Sequence, residues 1–231
     1  MTSNSYPEKC AHCLFRQVVC SYLGDEEFDR LYSNTLHLSY RRGEHILKQG
    51  NRFTHIVYLS KGMVKMNYED EAGRNLILTV INAPSMLGGA NVFNDDLNMF
   101  SVTAVEESDV CLIDISILKG FALSNSAFAL KLLDFVSAMF KDSMINFISL
   151  AHKQVNGRIA DILIYLSEKV YRSSSFTLSL TRKELAEFAG CSQENVIHTM
   201  TRLEKDGIIQ STKRFVEILD NERLRLVAKH G

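Results

Sequence analysis

The chain has 231 residues, of which 46% are hydrophobic and 23% charged, the balance of a folded globular protein with room for one large or two ordinary domains. Two prolines and no low-complexity tract argue against long disordered linkers. The net charge of −1 is unevenly spread: residues 1–150 hold 13 Lys+Arg against 17 Asp+Glu (net −4), and residues 151–231 hold 13 against 10 (net +3), so a phosphate-contacting module belongs to the C-terminal third.

The opening residues, MTSNSYPEKC, lack the apolar stretch of a signal peptide. No run reaches the roughly 18 apolar residues of a membrane span; Lys131 and Asp134 interrupt the best candidate. The expected location is therefore cytoplasmic, with no membrane partner, and the five cysteines are expected to be thiols or metal ligands rather than disulfides. Three of them, Cys10, Cys13 and Cys20, lie in CAHCLFRQVVC within residues 1–24. Residues 25–34 predict a short helix with Phe28 and Leu31 on one face.

From Leu36 to Ile115 the texture changes to short β-rich runs: LHLSY, HIVYL, MVKMNY, NLILTVI, SVTAV and DVCLIDI, punctuated by Gly43, Gly50, Gly62, Gly73 and Gly88. Alternating apolar and polar residues with turn signals near ten-residue spacing predict an antiparallel sandwich or barrel.

From Asn125 to Lys153 the period becomes helical. Phe128, Leu132, Val136, Met139, Ser143, Asn146 and Leu150 recur at steps of four or three, close to a heptad seam and long for a globular helix. The stripe can bury against the chain's own β domain or against a second copy. Ser143 and Asn146 sit awkwardly in an apolar core but can pair across a two-fold axis, which favours a homodimer.

NGRIADILIYLSEKVY (156–171) predicts another amphipathic helix, followed by a serine loop and a short strand, FTLSL. Then comes TRKELAEFAGCSQENVIHTMTRLEKDGII (181–209). Thr181 and Glu184 have capping-box spacing, Gly190 permits a tight turn, and Ser192 can cap a second helix. Val196, Met200 and Leu203 form its inner face, leaving Gln193, Glu194, Ile197, His198, Thr201 and Arg202 outside. This is a helix-turn-helix pattern, whose second helix enters a DNA major groove; the plainer alternative is an ordinary helical hairpin. IIQSTKRFVEIL then predicts a β-hairpin with a basic tip, Lys213-Arg214, a wing on the DNA backbone. No P-loop, Gly-x-Ser-x-Gly motif or pair of catalytic carboxylates is found, so an enzyme is not expected.

In RRGEHILKQG (41–50), YLSKGMVKMNYEDEAGRNLIL (58–78), SVTAVEESDVCLID (101–114) and the 181–209 block, taken in that order, the sequence resembles the Crp/Fnr family of bacterial transcription regulators, and its Fnr-like branch in the cysteines. The resemblance implies an α+β fold. A Cys-containing segment (1–24) precedes a cyclic-nucleotide-binding-like β-roll sensor, a double-stranded jelly roll (25–124). A dimerisation helix (125–153), with Leu132, Val136, Met139, Ser143, Asn146 and Leu150 at the seam, leads to a winged helix-turn-helix (154–231). It also implies a homodimer that binds double-stranded DNA at a palindromic operator and works with RNA polymerase.

Nucleotide-binding relatives resemble one another in a Gly-Glu-Leu turn and an Arg-Ser pair that hold ribose and phosphate. Here those positions read Gly88-Gly89-Ala90 and Phe100-Ser101. A phosphate set against phenylalanine loses a charge-assisted hydrogen bond of about 1.5–3 kcal/mol, so cAMP is not the expected effector. The Fnr branch instead holds a [4Fe–4S] cluster on thiolates, and Cys10, Cys13, Cys20 and Cys111 resemble its ligands, implying redox, oxygen or NO sensing. Cys111 reads equally as a core residue. Zinc on Cys10, His12, Cys13 and Cys20, haem, an unknown small molecule and no metal at all remain open readings.

The resemblance carries a base-reading role onto Glu194, which would accept from cytosine N4, while His198 and Ile197 depart from the family pattern and predict a different operator. Gln193 and Ile197 would face bases. Thr181, Arg182, Ser192, Arg202, Lys213 and Arg214 would contact phosphates.

Overall fold

Short β-rich runs separated by turns build the first domain. The computed structural model describes Cys13 and residues 15–87 and 97–231; the side chains of Val18, Val19, Met139 and Asp142 lie outside that description. The strands are β1 (Thr35–Tyr40), β2 (His45–Leu47), β3 (His55–Lys61), β4 (Met63–Glu69), β5 (Asn75–Asn82), β6 (Ser85–Leu87), β7 (Ser101–Ala104) and β8 (Ser108–Asp114). They form two antiparallel sheets, β1-β8-β3-β6 and β2-β7-β4-β5. Val57, Leu59, Val64, Val102 and Val110 interleave between the sheets as the roll's core. The six long strands fall on the six β-rich runs. β2 and β6 have three residues each, too few to display a period of two.

The outer face of the first sheet needs a cover, because Ile56, Tyr58 and Ile113 project from it. That cover is α1 (Asp25–Ser33), α2 (Ile115–Ser124) and the start of α3 (Ser126–His152), through Phe28, Leu31, Leu118, Phe121 and Phe128. Helix α2 is not predicted from sequence. Its β-branched residues and Gly120 weaken the local signal, and it forms because Asp114 caps it (Ser116 N donates to Oδ1 at 2.7 Å) and burial holds Leu118.

Helix α3 is capped by Asn125, whose Oδ1 accepts from Phe128 N at 3.0 Å. Part of the stripe anticipated as a dimer seam is turned inward within the chain. Phe128 and Leu132 are 0% and 5% exposed, inside the subunit's own core. Asn146 donates to the Leu78 carbonyl at 3.3 Å, and Leu150 lies where a side chain on Gly190 would meet its Cδ2 at 3.3 Å. Val136 is half-buried and Ser143 exposed; the side chain of Met139 lies outside the described residues. The apolar row left outside is Leu130, Leu133, Phe140, Met144 and Phe147, between 39% and 64% exposed, with Ser137 completing steps of three and four. The physical reason is that α3 is apolar nearly all round, so two stripes satisfy one period. Only packing decides which faces home.

The C-terminal part contains α4 (Val155–Tyr165), a π-helical turn (Leu166–Tyr171), β9 (Ser175–Thr177), α5 (Arg182–Ala189), α6 (Gln193–Lys205), β10 (Ile209–Thr212), β11 (Phe215–Ile218) and α7 (Asn221–His230). The strands form a sheet in the order β10-β11-β9. Its core of Ile159, Leu163, Leu185, Val196, Met200 and Leu224 runs on into Met63, Ile77 and Val80 of the second sheet. Polar contacts continue that junction: Tyr165 Oη donates to the Val80 carbonyl and Asn82 Nδ2 to the Val170 carbonyl, both at 2.8 Å. No described helix is long and apolar enough to cross a membrane.

Candidate nucleic-acid interface

The reading head is assembled by caps. Thr181 Oγ1 accepts from Glu184 N at 3.1 Å while Thr181 N donates to Glu184 Oε2 at 2.8 Å, a reciprocal capping box. Helix α5 ends at Gly190 in the left-handed region (φ 58°), which frees the chain to turn. Ser192 Oγ then accepts from Asn195 N at 3.3 Å and starts α6. Val196, Met200 and Leu203 are buried, and Thr199 turns its hydroxyl to Asn156 Oδ1 at 2.7 Å. The opposite face is open: Ser192, Gln193, Glu194, Ile197, His198, Thr201, Arg202 and Lys205 are all exposed. Glu194 carries its charge readily. Its own backbone N–H and then the Ser192 side chain hold its carboxyl below the usual range, so at neutral pH it is an acceptor.

The wing is a tight hairpin pairing Thr212 with Phe215, which places Lys213 and Arg214 at the tip, both exposed. Lys213 adopts φ 55°, a left-handed conformation uncommon outside glycine and asparagine.

Two anticipated phosphate contacts are turned inward. Arg182 is half-buried, donating to Met200 Sδ at 2.6 Å and to the Lys213 carbonyl at 3.2 Å; it braces the wing against α6. The Thr181 hydroxyl donates to Glu184 Oε2 at 2.9 Å and closes the cap. Arg202 Nε lies 3.9 Å from Asp206 Oδ2 but stays largely exposed.

In the β-roll, Phe100 packs against the apolar interior, and Ser101 Oγ accepts from Gln49 N at 3.1 Å. The position of an anion-binding pair is thus filled by a ring and an engaged hydroxyl. Gly88, Gly89 and Ala90 lie outside the described residues, as do Cys10 and His12.

The register of the first sheet sets His37, Cys111 and Tyr58 side by side across β1, β8 and β3. Cys111 Sγ is 3.3 Å from His37 Nδ1. Burial, then Cys13 through its charge and a hydrogen bond, pushes the Tyr58 hydroxyl up, with Cys111 a lesser contributor. Two of the four predicted cysteines, Cys13 and Cys111, therefore lie near Tyr58. Cys20, however, is seated in the apolar core and only 2% exposed, and burial pushes its thiol well up. Among the described residues no three Cys, His, Asp or Glu side chains converge on a point that could hold a metal ion. Cys13, Cys20 and Cys111, the described members of the predicted donor set, do not meet at a common point, and Cys10 lies outside the described residues. Sequence reasoning missed His37 beside Cys111, because 74 residues separate them and only strand register joins them.

A β-roll joined through a long helix to an exposed, capped recognition helix and a basic wing is the build of a DNA-binding transcription regulator. The chain belongs to the Crp/Fnr family: residues 37–125 match the cyclic nucleotide-binding domain and residues 157–227 the Crp-like helix-turn-helix domain. It is 27% identical over 192 residues to the transcriptional activator protein Anr of Pseudomonas protegens, covering 81% of this chain and 78% of that one. To the CRP-like cAMP-activated global transcriptional regulator of Mycobacterium tuberculosis H37Rv it is 24% identical over 191 residues, covering 81% and 85%. The structure of FixK2 from Bradyrhizobium japonicum has the same fold, with a TM-score of 0.77 at 19% identity, covering 84% of this chain and 96% of that one.

Proposed function

We propose that the protein acts in the cytoplasm as a homodimer, each subunit placing α6 in the major groove of one half of a palindromic operator and recruiting RNA polymerase there. The observation that carries this reading is the solvent-facing set Gln193, Glu194, Ile197 and His198 on a helix whose other face is fully packed. Glu194 accepts from cytosine N4, Ile197 meets a thymine methyl, and Ser192, Arg202, Lys213 and Arg214 hold phosphates. The dimer seam in this proposal is the exposed row Leu130, Leu133, Phe140, Met144 and Phe147, not the stripe through Leu132. Selection of bound DNA from a random pool tests it: a palindrome with a G·C pair in each half-site is expected, and Glu194→Ala should flatten preference there while salt-dependent non-specific binding remains. Unaltered preference in that variant overturns the role of Glu194.

The same proposal gives the β-roll an effector other than a cyclic nucleotide, on the support of Phe100 and of Ser101's engaged hydroxyl. Redox sensing is its second branch, supported by Cys13 and Cys111 beside Tyr58. A [4Fe–4S] cluster on Cys10, Cys13, Cys20 and Cys111 would require Cys20 to leave its apolar seat. Anaerobic reconstitution with iron and sulfide analysis tests this branch; a colourless product with titratable thiols removes it.

A further inference from the structure

The wing begins on an edge strand. β10 lies at the outside of the β10-β11-β9 sheet and follows α6 through Asp206, Gly207 and Ile208 alone. An edge strand presents backbone groups that no neighbouring strand takes up. A connection this short also leaves the angle between helix and hairpin to be set by side chains. Glu204, half-buried in the last turn of α6, supplies the contact. Its Oε1 accepts from Ser211 N at 3.0 Å and from Ser211 Oγ at 2.5 Å. Ser211 stands opposite Val216, one pair below the Thr212–Phe215 pair that flanks Lys213 and Arg214.

The same carboxylate faces Arg182. Burial lowers the Arg182 guanidinium from its ordinary range, and the charge of Glu204 opposes that shift. Arg182 Nη2 in turn donates to the Lys213 carbonyl at 3.2 Å. Glu204 thus holds the wing by its strand and Arg182 touches it at the tip. In a module that meets a polyanion, a carboxylate opposes association through like-charge repulsion. What this one provides in return is a pair of charge-assisted hydrogen bonds, which are about twice as strong as neutral ones.

We propose that Glu204 is a positioning residue for DNA binding: by holding Ser211 it fixes the wing at the angle to α6 at which Lys213 and Arg214 reach phosphates while α6 lies in the groove. The inference rests on the reading of α6 and the wing as the DNA-binding elements, and it names the residue that sets one against the other.

Fluorescence anisotropy of the full-length protein with a short labelled duplex of arbitrary sequence, at one fixed salt concentration, tests the proposal. Glu204→Leu and Glu204→Gln both remove the charge, but only Glu204→Gln keeps a side-chain oxygen for Ser211. Loss of charge alone removes a repulsion, so Glu204→Gln should bind as tightly as wild type or more tightly. Glu204→Leu should bind at least about fivefold more weakly, because the wing cations are no longer held at the phosphates. In a background carrying Lys213→Asn and Arg214→Gln, the same Glu204→Leu change should cost less than about twofold, whereas general damage to the fold would weaken both backgrounds alike. Each variant is checked for an unchanged circular dichroism spectrum. If Glu204→Leu fails that check, Ser211→Ala, which removes only the hydroxyl, decides by the same comparison, with a loss of about twofold or more expected. Wild-type affinity in Glu204→Leu, Glu204→Gln as weak as Glu204→Leu, or equal losses in the two backgrounds would each overturn the inference. A background without the wing cations that itself binds like wild type would instead overturn the wing's phosphate contacts, and so the reading on which the inference rests.

Discussion

Lys65 Nζ lies 2.7 Å from Glu184 Oε1, with each side chain only 17% exposed. Lys65 stands in the middle of β4 and Glu184 in the first turn of α5, 119 residues apart. The other oxygen of the same carboxylate closes the Thr181 cap, and Arg42 joins the group by donating to the Ser179 carbonyl at 2.8 Å. One carboxylate therefore both starts the first helix of the reading head and fastens it to the β-roll.

Lys65→Met leaves that carboxylate mostly out of water with its cap contacts and the more distant Arg42 guanidinium, 3.9 Å from Oε2. A lost charge-assisted hydrogen bond of this kind costs about 1–3 kcal/mol, and for a chain of this size each kcal/mol moves Tm by roughly 2–4 °C. Scanning calorimetry should show the variant melting several degrees lower. An unchanged transition would mean the pair contributes nothing across the junction.

The same contact predicts an acid-side signature. Burial works against ionisation of Glu184, but the hydrogen bond from Lys65, the Thr181 N–H and the Lys65 charge outweigh it, so its carboxyl titrates below the usual range. A depressed native pKa contributes stability that is complete above the unfolded value of about 4.3 and is lost as pH falls through the native value. Urea unfolding of wild type and Glu184→Gln should differ most at neutral pH and converge below about pH 4. A gap as wide at pH 3 as at pH 7 would count against the carboxylate's charge as its source.

Two residues about two turns apart should separate the faces of α3. Phe140 is 63% exposed, so Phe140→Asp should leave the subunit folded while shifting it to monomer in light scattering. Leu132 is 5% exposed in the subunit's own core, and Leu132→Ala should cost about 2–5 kcal/mol of stability. A Phe140→Asp dimer would refute the exposed row as the seam.

At the wing, charge and bracing can be told apart. Lys213→Asn removes the cation while asparagine tolerates the left-handed backbone, so operator affinity should fall at every sequence and the salt slope shrink by about one unit. Arg182→Ala should instead lower thermal stability with the slope unchanged, because its guanidinium is bound to Met200 Sδ and the Lys213 carbonyl. Equal slope losses in both would place Arg182 on the phosphate backbone after all.

The parts of this protein written into contiguous residues were legible without coordinates. β-rich runs bounded by turn signals located the six long strands, and the 3.6-residue period together with Thr181, Glu184, Gly190 and Ser192 located both helices of the reading head, because caps and turns depend on neighbours within four residues. The exposed reading face of α6 followed from which residues the inner stripe left over. Short strands β2 and β6, and helices α2 and α7, escaped because a three-residue strand has no period and these helices are stabilised by what they cover.

What only the tertiary structure decided was partnership between distant residues. Periodicity identified α3 as a helix with an apolar stripe, yet that helix carries two, and only contact with Ile56, Leu78 and Gly190 turned Leu132 and Asn146 inward and left Phe140 outside. The family resemblance implied a phosphate contact for Arg182, and packing turned it into a brace. His37 beside Cys111 and Lys65 against Glu184 have no local signature. Each arises because strand register and docking bring together groups tens of residues apart, and burial then determines which of them find a partner.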